Sequence, residues 1–344
     1  MSDFLIVNVL IPLFQIGVLL GILGLATGYI VLAERKILAF IQSRLGPMRV
    51  GPHGLLQPIA DVVKLLLKED LIPSGVNKTI FLISPIIVVV TAFTTLSLVP
   101  FGAGITLFEY HIPGVIADVN VAILLILGIG GLGTYGVILG GWSSNSKYPL
   151  LGALRAAAQM VSYEIALTFA VLSGLMVAGT LSMVGIVEAQ RDMGVWFVFL
   201  QPVAWGIFTI AMVAETNRPP FDMPEADSEL VAGFFTEYSG MRWSLFFLGE
   251  YTAMLVMAAI NVTLFWGGWL RPFPGVEALA FLDLVPSGAW FILKVATFLF
   301  VYIWIRGTFP RYRYDQLMRL NWKSLIPLAI ANVLVTGLVM LLVG

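Results

Sequence analysis

Between Ala214 and Glu237 the chain reads AETNRPPFDMPEADSELVAGFFTE, with carboxylates at Glu215, Asp222, Glu225, Asp227, Glu229 and Glu237 and one cation, Arg218. Two more carboxylates, Glu164 in VSYE and Glu250 in LGEY, sit inside long apolar runs. An ionisable group at the centre of a membrane span costs roughly 2.5–3.5 kcal/mol on insertion scales, so such groups are functional candidates by default. Carboxylates grouped in low dielectric take up and release protons near neutral pH. The chemistry they suggest is proton carriage along a water-linked chain. The plainer alternative is helix–helix glue, with Glu164 or Glu250 paired to Lys294 or Arg155. That serves well for one buried charge and poorly for three, Glu164, Glu215 and Glu250, converging from three helices beside an acidic loop. The prolines of RPPFDMPEA keep part of that loop non-helical. Irregular backbone at membrane depth is tolerated where it lines a protein cavity or water.

Other chemistries find little support. There is no cysteine, hence no disulfide and no thiolate-held iron–sulfur cluster. His53 and His111 fall in different loops, so no metal site is expected. GIGGLG, Gly128 to Gly133, fits a dinucleotide-binding pattern but lies inside an apolar span with no preceding strand. Glycines there, like Gly136/Gly140 and Gly17/Gly21, instead let neighbouring helix backbones approach.

The elements that position these groups follow from composition. The chain has 344 residues, 59% hydrophobic and 11% charged, with net charge −1 and a mean hydropathy of +0.95. A soluble domain is about half apolar and about a quarter charged, so the solvent here is mostly lipid. The near-zero net charge gives no sign of a nucleic-acid partner. The expected fold is an all-α integral membrane protein, one polytopic domain over 1–344. Eight spans are read at roughly 5–31, 80–100, 118–140, 154–179, 196–214, 240–267, 288–308 and 325–343, each near the ~20 residues a bilayer needs. The N-terminal MSDFLIVNVLIP lacks a basic leader and a small-residue cleavage site, so the first helix is expected to be retained. All basic residues except Arg191, Arg271 and Lys294 fall on one side of that arrangement. The positive-inside rule then puts both termini outside and the acidic loop inside. In the first inward loop, Gln57, Asp61, Lys64 and Lys68 share one face of a helix too short to span, expected to lie at the interface or pack on the bundle. Arg35 and Arg306 each touch the end of a span, where a guanidinium can bind a polar headgroup or a carboxylate.

Three stretches, ERKILAFIQSRLGPMRVGPHGLLQPIADVVKLLLKED, AETNRPPFDMPEADSELVAGFFTEYSGMRWSLFFLGEY and RGTFPRYRYDQLMRLNWK, resemble the H-type membrane subunit of proton-translocating NADH:quinone oxidoreductase, respiratory complex I. The resemblance covers essentially the whole chain. It implies a translocase subunit with no redox centre of its own, which forms much of the quinone chamber where the membrane and peripheral arms meet. Quinone, ubiquinone by this resemblance, is then the substrate, and FMN, NADH and the iron–sulfur clusters belong to partner subunits. The implied partners are the peripheral-arm quinone-site subunits, small membrane-arm subunits and lipid, in a bacterial inner membrane rather than a mitochondrial one. By motif the resemblance assigns Glu164, Glu215, Asp222, Glu225, Glu229 and Glu250 to proton coupling, and Arg35, Arg306, Gln57 and Asp61 to the quinone chamber. Asp227 stands where many relatives have Glu. A related subunit of a membrane-bound hydrogenase or formate hydrogenlyase, which has no quinone, is the alternative; the YDQLM and ETNRPPFD contexts favour the quinone enzyme. A stand-alone proton-coupled transporter should show paired broken helices in two related halves, and the sequence has none. A purely structural anchor leaves Glu164 and Glu250 without a role.

Overall fold

Apolar runs bounded by polar caps give helices, and helices make nearly all of the fold. A computed structural model describes residues 11–107, 110–223 and 231–343. In chain order the helices are α1 (Ile11–Ile41), α2 (Gln57–Leu67), α3 (Lys78–Ser97), α4 (Ala122–Ser143), α5 (Lys147–Ala178), α6 (Met183–Met193), α7 (Phe197–Leu200), α8 (Pro202–Glu215), α9 (Gly240–Phe265), α10 (Ser287–Thr308), α11 (Tyr314–Leu320) and α12 (Ile326–Val343). A short antiparallel hairpin, Ile105–Leu107 with Tyr110–Ile112, lies between α3 and α4. Glu225, Asp227 and Glu229 fall outside the described residues.

Among the described residues seven helices are long and apolar enough to cross a membrane: α1, α3, α4, α5, α9, α10 and the run Tyr314–Leu342. The remaining span read from sequence, 196–214, is instead two pieces, α7 and α8. Pro202 has no amide hydrogen to continue the helix, and Gln201 leaves helical geometry at φ −129°, ψ 55°. The break is dressed with polar groups. Gln201 donates to Thr336 Oγ1 at 2.9 Å and accepts from Asn332 Nδ2 at 3.0 Å, and Asn332 also donates to Ser173 Oγ at 3.0 Å. Broken backbone inside an apolar bundle needs this kind of satisfaction.

Other boundaries shift as well. The first helix continues through the helix-favouring AERKILAF, so Glu34 and Arg35 lie on α1 rather than in the loop after residue 31. The last run begins at Tyr314, and a π-helical turn, Asn321–Leu325, joins α11 to α12. Helix α2 turns Gln57 and Asp61 inward and leaves Lys64 exposed. Gln57 and Asp61 are half-buried against the bundle, while Ile59, Val62, Val63, Leu66 and Leu67 are exposed.

Helix α5 runs through the middle, packed against α4, α8 and α12. The glycines of α4 set its distance from its neighbours. A Cβ at Gly133 would meet Thr91 Oγ1 at 3.2 Å and one at Gly140 would meet Ser84 Oγ at 2.7 Å. Ser84 crosses the same seam to donate to the Gly136 carbonyl at 2.5 Å. At the opposite end of the bundle from the basic loops, Lys294 on α10 does not pair with Glu164 or Glu250. Its Nζ donates to the carbonyls of Trp266, Gly268 and Leu270 at 2.7, 2.9 and 2.7 Å, capping the turn that ends α9, and it stands 4.5 Å from the Trp196 ring centre. Three carbonyls satisfy the three donors of one ammonium.

Candidate functional site

Two cavities meet at Glu250. The first, about 540 Å³, lies near the basic loops and is lined by Glu34, Arg35, Arg44, Gln57, Arg218, Glu250, Tyr251 and Arg306 together with Val31, Leu38, Pro47 and Phe247. The second, about 130 Å³, is mainly apolar, with Glu164, Glu215, Asn217, Thr216, Thr91, Thr95 and Glu250 as its polar groups.

The charged cavity is organised by a buried guanidinium. Arg218, 6% exposed, places Nε 2.7 Å from Glu250 Oε1 and Nη1 3.8 Å from Glu34 Oε2. Its guanidinium carbon lies 4.1 Å from the centre of the Tyr251 ring, a cation–π contact strengthened by the desolvated setting. The Tyr251 hydroxyl donates to Glu34 Oε2 at 2.8 Å, and Arg306 pairs with the other oxygen of Glu34. Two carboxylates thus face two guanidiniums. Buried charges persist only when paired and hydrogen-bonded, and this arrangement supplies both conditions.

The four residues assigned to the quinone chamber by resemblance divide into two groups. Arg35 Nη1 lies 2.7 Å from Asp61 Oδ2, and Gln57 Nε2 donates to Asp61 Oδ1 at 2.9 Å, so α1 and α2 are joined by one polar triad. Arg306 belongs instead to the Glu34 cluster. A third opening, about 150 Å³, runs beside this triad between α1, α2 and α9, lined by Gly24, Gly28, Val31, Val62, Phe247 and Tyr251 among others.

In the inner cavity, Glu164 projects from α5 beside Gly131 of α4. A Cβ at Gly131 would stand 2.8 Å from Glu164 Oε1, so glycine leaves the carboxylate its room. Glu215 ends α8, and its Oε2 is buried without a hydrogen-bond partner among the described residues. Asn217 follows at φ 49°, the left-handed region that asparagine tolerates better than most residues. Its amide donates to Met160 Sδ at 3.5 Å. Phe234, Phe235 and Phe246 close one wall.

Asp222 lies apart from both cavities. Its Oδ2 is 2.8 Å from Arg311 Nη2, the Tyr312 amide donates to the Pro220 carbonyl at 3.1 Å, and the Phe221 and Tyr312 rings stack at 5.7 Å. The acidic stretch is therefore fastened to the basic loop before α11. Sequence reasoning brought Glu164, Glu215 and Glu250 together, and the structure does the same. It missed Glu34, Arg218 and Tyr251 as members of the cluster. Arg218 did carry a signal, as the sole cation among six carboxylates; Glu34 was hidden by ending the first helix too early.

The sequence matches the family model described as NADH dehydrogenase over residues 14–337. It is 48% identical to an H-type NADH-quinone oxidoreductase subunit of Solibacter usitatus, over 95% of each chain. It is 48% identical to one of the same type from Geobacter metallireducens, over 97% of this chain and 98% of the relative. With an H-type relative of Geobacter sulfurreducens it shares 50% identity over 92% of each. Similarity at this level along nearly the full length leaves one conclusion about descent: the chain belongs to the NADH dehydrogenase family, among the H-type subunits of NADH-quinone oxidoreductase.

Proposed function

We propose that the chain takes a quinone headgroup at the charged cavity and couples its reduction, by electrons from partner subunits, to proton movement through Glu250, Glu215 and Glu164. The observation that carries this reading is the position of Glu250 in the wall shared by the two cavities. A change in charge balance around Arg218, Glu34 and Arg306 acts on Glu250 directly, and Glu250 in turn faces the space that holds Glu215 and Glu164. Like-charged carboxylates in a mainly apolar cavity interact strongly across a few ångströms, so protonating one of them eases ionisation of the next. Asp222 steadies the loop, and Glu225 and Glu229, outside the described residues, are included in the coupling series by resemblance alone. Arg35, Gln57 and Asp61 line the third opening, which serves in this reading as the route for an isoprenoid tail. Iron–sulfur chemistry is placed on partner subunits, because a chain without cysteine offers no thiolate for a cluster, and flavin and NADH are placed there by the resemblance. The setting is a bacterial inner membrane with both termini on the outer side and the basic loops inside.

The test is substitution of Glu250 and Glu215 in the assembled complex. Gln is nearly isosteric and cannot titrate, while Asp keeps an acid at shorter reach. Glu250→Gln or Glu215→Gln should lower both quinone reductase rate and proton pumping, with Asp retaining part of each. NADH oxidation by ferricyanide, which takes electrons upstream, should be unchanged. Wild-type reductase and pumping in both Gln variants would return these residues to the role of bundle glue.

A further inference from the structure

Gln159 sits on α5, just over one turn before Glu164, and is completely buried. Its Nε2 donates to two backbone carbonyls, Ala214 and Phe221, each at 2.7 Å. Those carbonyls flank the bend that leaves α8. Between them lie Glu215 and Asn217, which line the inner cavity, and Arg218, which lines the charged one. The bend is short and internally tied, with the Arg218 amide donating to the Val213 carbonyl at 3.3 Å and the Phe221 amide to the Arg218 carbonyl at 2.8 Å. Both outer ends of this bend therefore hang from a single side chain on the helix that bears Glu164. Both partners are acceptors that also take a local amide, Asn217 to Ala214 at 3.2 Å and Met223 to Phe221 at 3.0 Å, and a side chain with two N–H donors joins them to each other. The side-chain carbonyl of Gln159 is left buried without a hydrogen-bond partner among the described residues. A group kept at that cost is matched to its donors rather than to its acceptor.

We infer that Gln159 is a positioning residue for proton coupling: it holds the 214–221 bend as one rigid piece, so that Glu215 is presented to Glu164 while Arg218 is presented to Glu250. It touches neither substrate nor a moving proton. The inference rests on the proposed proton route and extends it, because it makes the two cavities mechanically as well as electrostatically connected. A shift of Arg218 is then transmitted to Glu215 through a tied bend.

The experiment uses the assembled complex with Gln159→Met, Gln159→Glu and, as reference, Glu215→Gln, at matched complex content. Reductase rate is followed against pH together with pumping, and ferricyanide reduction reports an intact peripheral arm. Met has similar length and no donors. It should slow quinone reduction about tenfold, because both hydrogen bonds that tie the two ends of the bend to α5 are lost and the Ala214 and Phe221 carbonyls keep only their local donors, the Asn217 and Met223 amides, without changing the shape of the pH profile. Glu has one donor when protonated and none when ionised, so Gln159→Glu should work best at low pH and fall as pH rises. A wild-type rate in Gln159→Met, or a Gln159→Glu profile parallel to the wild type, overturns the inference. If Gln159→Met fails to assemble, the Gln159→Glu profile decides. Impaired Glu215→Gln beside normal Gln159→Met removes this inference alone, whereas normal Glu215→Gln removes the proton route on which it rests.

Discussion

Arg218 is the residue on which the charged cluster depends. It lies between Glu34 and Glu250, with a tyrosine ring against its face, and it is closed off from solvent. Removing one member of a buried ion network strands the others and costs about 3–5 kcal/mol, whereas removing both members of a pair can be nearly neutral. Arg218→Leu should therefore destabilise the subunit strongly, and adding Glu250→Gln should recover much of the loss. The measurement is thermal unfolding of the purified complex for the two single variants and the double. Simple additivity of the two changes would show that the pair is not coupled. Arg35 offers the contrast. Its partner Asp61 is one-third exposed and the guanidinium about half, and exposed pairs contribute little to stability. Arg35→Ala should leave unfolding almost unchanged and act, if the cavity binds quinone, on quinone reduction alone.

Helix α4 separates packing from function within one run of glycines. Gly128 has nothing near the position a Cβ would take, while Gly131 faces Glu164. Gly128→Ala should be neutral. Gly131→Ala should also unfold normally, because the atom in its way is the tip of a side chain, yet it must push the Glu164 carboxylate aside. Reductase rate and pumping should fall several-fold in Gly131→Ala at unchanged thermal stability; equal activity in the two variants would show that the position of Glu164 is not critical. The same helix explains what the sequence could and could not tell. Length and hydropathy located the long helices but not the break at Gln201 within the run 196–214, and burial cost alone singled out Glu164 and Glu250. Helix ends were less legible. A charged ERK motif resembles a loop on composition, yet Glu, Arg and Lys are good helix formers, so α1 runs on to Ile41 and carries Glu34 into the cavity. The pairing of Lys294 was not legible at all, because its partners are backbone carbonyls, which no side-chain pattern announces.

On the scale of the whole molecule, the basic loops and the acidic stretch gather at one end. The Asp222–Arg311 contact fastens the two there. The proposed orientation is checked by cysteines at Ser2 and Asp315, which should label from the outer and inner side respectively of sealed vesicles; the reverse pattern would invert the topology, and labelling of both from one side would break it. The Lys294 cap has a bearing on how such a chain enters the bilayer. An ammonium in an inserting helix carries a penalty of up to roughly 3 kcal/mol on insertion scales. Its three acceptors, at Trp266, Gly268 and Leu270, are all made just before α10 emerges from the ribosome. Helix α10 then has its counter-group waiting only if α9 is still beside it, so the two should integrate as a hairpin. In an insertion reporter, α10 alone should integrate less often than the α9–α10 pair, and Lys294→Leu should abolish that difference. A lysine that looks like a defect in a hydrophobic segment would thus set the order in which the last third of the chain is threaded into the membrane.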